Sequence, residues 1–299
     1  MGVELIGQSV LNHESIYNQL FRKKRGMFGG VVVQAMGAIE NALLDAKAKL
    51  LGLPCYELLG GKLRDVIRVY WSHCGPWRMK PRAQYYCDKE LGSLGDIEKL
   101  AFEVRQSGFN ALKTYPYYLN KVGEMRMWSP GFGQPFQPDL NFDRKFLRDL
   151  RDYLEAFRKG AGPDMDIMLD LNFNAHTEGI ARIIRKLNDF DLFWLEVDHN
   201  DPEVLAEIRS NSPFPIASCE TLLTKEKYLP YFRSHSIDVG IVDVVWNGAW
   251  QSMKIAAVAD AHGVSVAPHN FYGHLATMMS AHFSAAIPNF NILETDIDR

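Results

Sequence analysis

Short apolar runs rich in β-branched residues alternate with amphipathic stretches from residue 66 onward. Eight runs have the length of strands and lie at residues 66–72, 110–115, 166–171, 192–197, 215–220, 239–244, 264–268 and 290–294. Between them, apolar residues recur at helical spacing, for example over residues 96–106, 144–158, 177–187, 202–209, 249–262 and 274–285. Strands separated by helices indicate right-handed crossovers and a parallel sheet. The pattern favours a closed α/β barrel over an open doubly wound sheet.

The chain before the barrel has a different pattern. Residues 31–50 are alanine-rich and apolar at helical spacing, and Gly52 and Pro54 end this predicted helix. Earlier residues are more polar and also have a helical pattern. We therefore expect residues 1–60 to form part of a smaller domain with its linker helix, and residues 61–299 to form the barrel.

One long stretch, residues 116–141, has no regular period and is full of proline, glycine and aromatic residues. Irregular segments of this length in a compact domain are usually functional lids or disordered inserts. The stretch follows the carboxyl end of a strand, where barrel enzymes keep their sites. We therefore expect a lid.

Composition excludes several classes of function. The net charge is −3, so the sequence favours neither a nucleic-acid partner nor an anionic membrane. The four cysteines, Cys55, Cys74, Cys87 and Cys219, show no CxxC pair, which is typical of a reduced cytoplasmic protein. No signal peptide or membrane-length apolar run is present in the sequence, and no glycine-rich nucleotide motif follows the first strand.

Polar residues recur at the ends of the predicted strands. They are Lys113, Asp170, Glu196, Glu220, Asp243, His269 and Glu294. From Asp170 onward they are separated by 26, 24, 23, 26 and 25 positions, about one strand–loop–helix unit each. One carboxylate after a strand is usually the N-cap of the next helix. Seven polar residues in phase instead indicate a shared rim, the active face of a barrel.

Asp170, Glu196 and Glu220 end three consecutive strands. Three adjacent carboxylates repel one another and raise each other's pKa unless a cation neutralises them. Oxygen ligands completed by water suit Mg²⁺, with Mn²⁺ as the usual substitute. Asn172 lies two residues beyond Asp170, so strand alternation places it on the same face, where it could orient a ligand or a metal-bound water.

Two further groups suit acid/base chemistry. Asp243 and His269 end neighbouring strands, and a carboxylate beside an imidazole fixes its tautomer and raises its basicity. Lys113 and Tyr115 share one face of the second strand: Lys113 could be a base or the electrostatic partner of a carboxylate, and Tyr115 a weak acid or a half-buried aromatic. Glu294 could donate a hydrogen bond if burial keeps it protonated.

Three residues are candidates for contact with substrate. His73 follows the first strand, and Trp246 and Asn247 follow the sixth. A structural role is an equal alternative for each of them. The whole set suits removal of a proton next to a carboxylate, because a bound metal stabilises the enediolate charge and flanking bases move the proton.

Several segments resemble the mandelate racemase-like branch of the enolase superfamily, in that family's order. They are AMGAIENALLDAKAKLLGLPCYELLGG with VIRVY, then ALKTYP, MLDLN, FWLEV, PIASCE, DVGIVDVVWNG, VAPHN and FNILE. The resemblance implies a modified TIM barrel, (β/α)7β, with a partial α+β capping domain. It also implies that Asp170, Glu196 and Glu220 bind Mg²⁺, that Asp243 and His269 form an acid/base dyad, and that Glu294 faces the enediolate.

The sequence departs from that family in three ways. The usual Lys-x-Lys of the second strand is Lys113-Thr114-Tyr115, and Glu196 is followed by Val197-Asp198 instead of proline. The family's capping domain normally opens with strands before residue 1 and closes with a segment after the eighth strand, so we expect a fragment truncated at both ends.

One dyad and a tyrosine fit dehydration of a sugar acid to a 2-keto-3-deoxy acid, with His269 as acid and Lys113 with Tyr115 on the base side. The alternatives are a racemase or epimerase of a 2-hydroxy acid, and a catalytically compromised family member. The expected partners are a small carboxylate substrate and further copies of the chain in a homo-oligomer, with no nucleic acid and no membrane.

Overall fold

The structure is a computed structural model. It describes residues 2–23, 26, 29–86, 89–132 and 143–298. Cys87 and residues 133–141 of the predicted lid lie outside the described residues.

Strands and helices alternate as the sequence predicts. The strands are β1 (Val69–Ser72), β2 (Ala111–Thr114), β3 (Tyr117–Leu119), β4 (Met125–Met127), β5 (Asp166–Asp170), β6 (Trp194–Glu196), β7 (Ile216–Ser218), β8 (Val239–Asp243), β9 (Ser265–His269) and β10 (Leu293–Asp296). The helices are α1 (His13–Lys23), α2 (Gly30–Leu51), α3 (Cys55–Leu58), α4 (Ala83–Tyr86), α5 (Leu94–Gln106), α6 (Arg144–Ala161), α7 (Thr177–Lys186), α8 (Pro202–Ser210), α9 (Lys225–Arg233), α10 (Val244–Asn247), α11 (Ala249–Ala261) and α12 (His274–Ala286).

Eight strands form one sheet in the order β10-β1-β2-β5-β6-β7-β8-β9, and the pairs whose register is known are parallel. Val266 of β9 forms a parallel bridge with Phe290, just before β10, so the sheet is a nearly closed TIM-like barrel. An N-terminal helical capping region precedes it. The predicted barrel is confirmed.

The register of the sheet aligns the polar residues at the strand ends. Asp170 of β5 is paired with Glu196 of β6, and Asp243 of β8 with His269 of β9. Strands of parallel barrels are covered on both faces, and every residue of β2, β6, β7 and β8 is buried. Polar side chains at these strand ends therefore sit on a rigid, apolar support.

The outer helices follow from amphipathic sequence and capping. In α6 the Asp143 carboxylate accepts the Phe146 N–H at 2.6 Å and begins the helix. Its buried residues recur at helical spacing, from Leu147 through Leu150 and Leu154. Gly160 lets α6 approach α5 closely, since a Cβ there would lie 2.1 Å from the Glu98 carbonyl oxygen.

The chain divides into two compact units. The first comprises Met1–Arg68, Cys219–His235 and Val239–Leu293, and the second comprises Val69–Ser218, Ser236–Asp238 and Glu294–Arg299. Within the first unit, α2 packs on α10, where an added Cβ at Gly37 would lie 2.4 Å from the Trp246 carbonyl oxygen. The N-terminal helical region is thereby held directly against the segment that follows β8.

The prediction that residues 116–141 lack regular structure is wrong for their first half. β3 and β4 form an antiparallel hairpin, with Tyr117 opposite Met127. The Asn120 side chain fixes its turn by accepting the N–H groups of Val122 and Glu124 at 3.0 and 2.9 Å. Three-residue strands are too short to show a period in the sequence. No helix in the described part of the chain is long and apolar enough to cross a membrane.

Candidate active site

Three carboxylates can converge on one cation. Asp170 ends β5, Glu196 ends β6, and Glu220 follows β7 by two residues. Each offers one ligand oxygen, and these oxygens lie within 4.8 Å of one another. Asp170 and Glu196 are completely buried, whereas the Glu220 side chain is 12% exposed.

The chemistry of this triad fits a divalent metal. Burial and the neighbouring Asp170 charge raise the pKa of Glu196 to about 8. Glu196 Oε1 is buried and accepts no hydrogen bond within the described residues, and Asp170 Oδ2 has no partner there beyond its ion pair with Lys113. Unsatisfied buried carboxylate oxygens are costly, and a cation that uses them as ligands relieves both the desolvation and the repulsion. Hard oxygen donors of this kind suit Mg²⁺.

Lys113 is a buried cation on β2 beside two of these carboxylates. Its ammonium lies 3.2 Å from Asp170 Oδ2 and 3.1 Å from Glu196 Oε2. Burial alone would lower the pKa of Lys113, but the charges of Glu196 and Glu294 raise it well above its ordinary value. Of the two roles predicted for Lys113, the geometry favours the electrostatic partner, because a lysine held protonated is a poor base.

Glu294 lies inside β10 rather than at its end, and it is buried. Its Oε1 is 3.4 Å from the Lys113 ammonium and accepts a hydrogen bond from the Ser72 hydroxyl. Both contacts suit an acceptor carboxylate. They place Glu294 in the same buried charge network as Lys113, and they favour a different role from the hydrogen-bond donor that the sequence suggested.

Asp243 and His269 form a close pair in the first unit. His269 Nδ1 lies 2.7 Å from Asp243 Oδ2, and His269 Nε2 lies 3.5 Å from Glu220 Oε2. Asp243 Oδ1 also accepts the Trp246 N–H at 2.7 Å and begins α10. Asp243 can therefore cap α10 and also hold His269, because one carboxylate oxygen accepts the Trp246 N–H and the other contacts the imidazole.

Sequence reasoning missed Tyr272, whose hydroxyl donates to Asp243 Oδ2 at 2.6 Å. This tyrosine lies in the loop between β9 and α12, where no periodic pattern marks it. The Trp246 ring packs edge-on against the His269 ring, with centroids 5.7 Å apart. The imidazole is therefore held by a carboxylate on one side and by aromatic rings around it.

Two asparagines were predicted near the substrate, and their amides are used differently. Asn172 keeps its Oδ1 buried with no hydrogen-bond partner in the described residues, so it can serve a ligand. The amide of Asn247 instead accepts the Thr224 N–H at 2.8 Å and donates to the Leu222 and Asp243 carbonyl oxygens. That use favours the structural alternative for Asn247.

Tyr115 and His73 lie side by side in the second unit. The Tyr115 hydroxyl is 3.3 Å from His73 Nε2, and the two rings are nearly parallel with centroids 5.1 Å apart. Burial, followed by the Asp170 charge, raises the pKa of Tyr115 well above its ordinary value. His73 also has φ of 49°, a left-handed conformation that non-glycine residues adopt at a cost of about 1–3 kcal/mol and that clusters at functional sites.

Family comparisons agree with this geometry. Residues 96–299 match the family described as enolase C-terminal domain-like, and residues 1–60 match the mandelate racemase / muconate lactonizing enzyme N-terminal domain. Together these two matches span both the N-terminal helices and most of the barrel.

A solved structure from Burkholderia xenovorans strain LB400, named "putative L-alanine-DL-glutamate epimerase", is 54% identical and superposes with a TM-score of 0.95. The match covers 100% of this chain and 75% of that one. A second structure of that protein, bound to magnesium and fumarate, has the same identity and TM-score and covers 100% of this chain and 74% of that chain. That relative binds magnesium, and the carboxylate triad of this chain offers oxygen ligands of the kind that Mg²⁺ prefers.

Curated relatives are more distant. The chain is 26% identical to a D-xylonate dehydratase of Haloferax volcanii over 97% of this chain and 66% of the relative. It is 30% identical to a D-gluconate dehydratase of Thermoproteus tenax over 88% of this chain and 48% of the relative. The chain thus spans one half to two thirds of these two proteins. By both domain matches, it belongs to the mandelate racemase / muconate lactonizing enzyme family of the enolase superfamily.

Proposed function

We propose that the protein removes the proton next to a substrate carboxylate and returns a proton to the same carbon, epimerising or racemising a 2-hydroxy acid. The observation that carries this proposal is the Asp243–His269 pair, 2.7 Å apart, with the same imidazole 3.5 Å from Glu220 of the metal-binding triad. A proton-transfer group next to a metal ligand is what removal of a weakly acidic α-proton requires.

The chain's own residues divide the work. Asp243 holds His269 through Nδ1, so Nε2 is the nitrogen that exchanges a proton with the substrate. Mg²⁺, when bound by Asp170, Glu196 and Glu220, supplies Lewis-acid stabilisation of the negative charge that develops on the substrate carboxylate. The buried Lys113 ammonium adds fixed positive charge to the same network.

Epimerisation also needs a second proton-transfer group, and Tyr115 is the candidate on β2. Its hydroxyl is buried, and the Lys113 ammonium lies 5.9 Å from its ring centroid. The name of the Burkholderia relative, at 54% identity, supports epimerisation over the reactions named for the curated relatives, which are 25–30% identical.

Dehydration of a sugar acid is the second candidate. Tyr115 stands where the related enzymes usually have a second lysine, and in dehydration it removes the α-proton while His269 protonates the departing β-hydroxyl. The curated relatives named for D-xylonate, D-gluconate and D-galactonate dehydration support it. Both candidates share α-proton removal and differ in the fate of the intermediate.

The test is incubation with Mg²⁺ in D₂O of malate, tartrate, L-Ala-DL-Glu, D-xylonate, D-gluconate and D-galactonate, followed by NMR. Epimerisation gives deuterium at Cα with inversion and no keto product. Dehydration gives a 2-keto-3-deoxy acid. A chelator should abolish either reaction. Absence of both from the whole panel, with magnesium binding intact, would contradict α-proton removal and favour a catalytically compromised member of the family.

A further inference from the structure

We propose that Tyr115, His73 and Asp296 form a proton relay, in which Tyr115 exchanges a proton with the substrate and His73 and Asp296 supply and remove it from behind. The proposal rests on the proposed function, since it assigns the second proton-transfer group of that reaction. His73 becomes a positioning residue rather than a substrate contact.

Distances through these residues form a continuous path. The Tyr115 hydroxyl lies 3.3 Å from His73 Nε2, and His73 Nδ1 lies 3.2 Å from Asp296 Oδ2. Catalytic hydrogen bonds are commonly this long without substrate and tighten when it binds. The Asp296 carboxylate is fully buried, and its Oδ2 also accepts the Trp77 indole N–H at 2.8 Å.

The orientation of the imidazole follows from its neighbours. Its ring stacks on Tyr115 and contacts the tilted ring of Trp77, with centroid distances of 5.1 and 4.4 Å. A carboxylate at Nδ1 favours the tautomer protonated there, which leaves Nε2 as an acceptor for the tyrosine hydroxyl. The Ser72 hydroxyl is 3.3 Å from the same Nδ1.

Without a relay, Tyr115 would have to become a free phenolate before it could accept the substrate proton. Its raised pKa makes a free phenolate costly. When the phenol oxygen takes the substrate α-proton, its own proton passes to His73 Nε2. The bond from the substrate carbon to hydrogen breaks, a new O–H bond forms, and the imidazolium is stabilised by Asp296. In the reverse direction the imidazolium returns its proton to the tyrosine as the tyrosine protonates the substrate.

The alternative is that His73 only packs between two aromatic rings. The left-handed backbone of His73 accepts glycine, so H73G removes the ring without added strain and leaves space for free imidazole. A packing role predicts that imidazole restores stability at most, whereas the relay predicts that imidazole restores proton transfer.

The experiment uses the acid from the panel above that the wild-type enzyme exchanges fastest. We expect Y115F to slow inversion at Cα by roughly 10²–10⁴-fold, the usual contribution of general acid–base catalysis, because exchange on the His269 side does not need the tyrosine. H73G and D296N should lower kcat at least about tenfold with KM little changed, since neither touches substrate. Imidazole should restore H73G but not the H73G/Y115F double variant.

Y153F is a matched control, because Tyr153 is a buried tyrosine whose hydroxyl lies 2.9 Å from Thr114 Oγ1 and is not a member of the proposed path. It should lower stability while keeping exchange. Wild-type rates in Y115F, or a change in KM alone in H73G, would overturn the relay while leaving the proposed function intact.

A second measurement does not depend on turnover. Side-chain ¹⁵N NMR of the full chain should show His73 protonated at Nδ1, and D296N should shift that resonance. The tautomer protonated at Nε2 would overturn the relay even if the enzyme is active. If the wild-type chain exchanges no acid of the panel while the Nδ1 tautomer is present, the proposed function fails and the catalytic role of Tyr115 fails with it.

Discussion

Tyr272 donates its hydroxyl to the same oxygen of Asp243 that holds the imidazole of His269. The carboxylate is therefore fixed from the loop after β9 as well as from β9 itself. A hydrogen-bonded carboxylate keeps the imidazole in one orientation and one tautomer. In the proposed reaction, Tyr272 acts through Asp243 as a positioning residue.

Removing the charge of Asp243 should be far more damaging than removing the Tyr272 hydroxyl. Under the proposed function, we expect D243N to lower kcat for α-proton exchange by roughly 10²–10⁴-fold, because it removes the carboxylate that orients His269. Y272F should lower it by about tenfold or less, since His269 keeps its carboxylate. Steady-state exchange rates in D₂O check both, with circular dichroism to show that the variants fold. Equal losses would contradict this order.

Magnesium binding should depend on pH. Without metal the pKa of Glu196 is raised to about 8, so its carboxyl holds a proton at neutral pH that a cation must displace. Affinity should therefore rise between pH 6 and 8 and level off above. Titration calorimetry at pH 7 in two buffers of different ionisation enthalpy measures the released proton. E196Q should bind weakly at every pH, and a pH-independent affinity of the wild-type chain would contradict the expectation.

Glu40 should make stability fall with rising pH. It is buried in α2 and accepts the N–H groups of Trp250 and Gln251 at 3.0 and 3.1 Å. Burial raises its pKa from 4.5 to about 7. The pKa of Glu40 is higher in the folded chain than in the unfolded chain. Its contribution to the free energy of unfolding is therefore complete below about pH 4.5 and is lost as pH rises through about 7, by roughly 3 kcal/mol in total.

Urea unfolding of the wild-type chain and of E40Q at pH 5 and pH 8 checks this sign. The amide cannot ionise, so E40Q should lack most of the decrease seen in the wild type. If the free energy of unfolding of E40Q falls between pH 5 and pH 8 as much as that of the wild type, groups other than Glu40 cause the pH dependence.

The close approach of α5 and α6 should not tolerate a side chain at Gly160. A Cβ there would lie 2.1 Å from a backbone carbonyl oxygen, which cannot move without shifting the helix. We expect G160A to destabilise the chain by about 1–3 kcal/mol, the usual cost of overpacking. G95A in α5 is the control, since its Cβ meets nothing nearer than 3.7 Å, and it should be neutral or stabilising by up to about 1 kcal/mol. Denaturant unfolding measures both.

Much of the barrel was readable from the sequence because parallel strands are buried and helices are amphipathic. Asp170, Glu196, Asp243 and His269 each end the strand that the pattern predicts, apart from boundary shifts of one or two residues. Phase along the chain was sufficient to predict that Asp170 is paired with Glu196 and Asp243 with His269.

Other features needed three dimensions. The eighth strand was predicted to end at Glu294, but β10 continues to Asp296, whose carboxylate reaches His73 more than two hundred residues earlier. Tyr272 lies in a loop without a period, and the hairpin strands are three residues long. A sequence pattern shows which face of its own helix or strand a residue occupies. It does not show contacts between elements that are distant along the chain, such as that of Asp296 with His73.

The double use of Asp243 has an evolutionary consequence. One of its oxygens begins α10 and the other orients the imidazole, so selection for folding alone is enough to preserve a capping side chain here, which asparagine or serine also supplies. A descendant without proton transfer would be expected to keep a capping residue at this position, whether or not it is an aspartate. A capping residue at this position is therefore weak evidence that a relative still catalyses proton transfer.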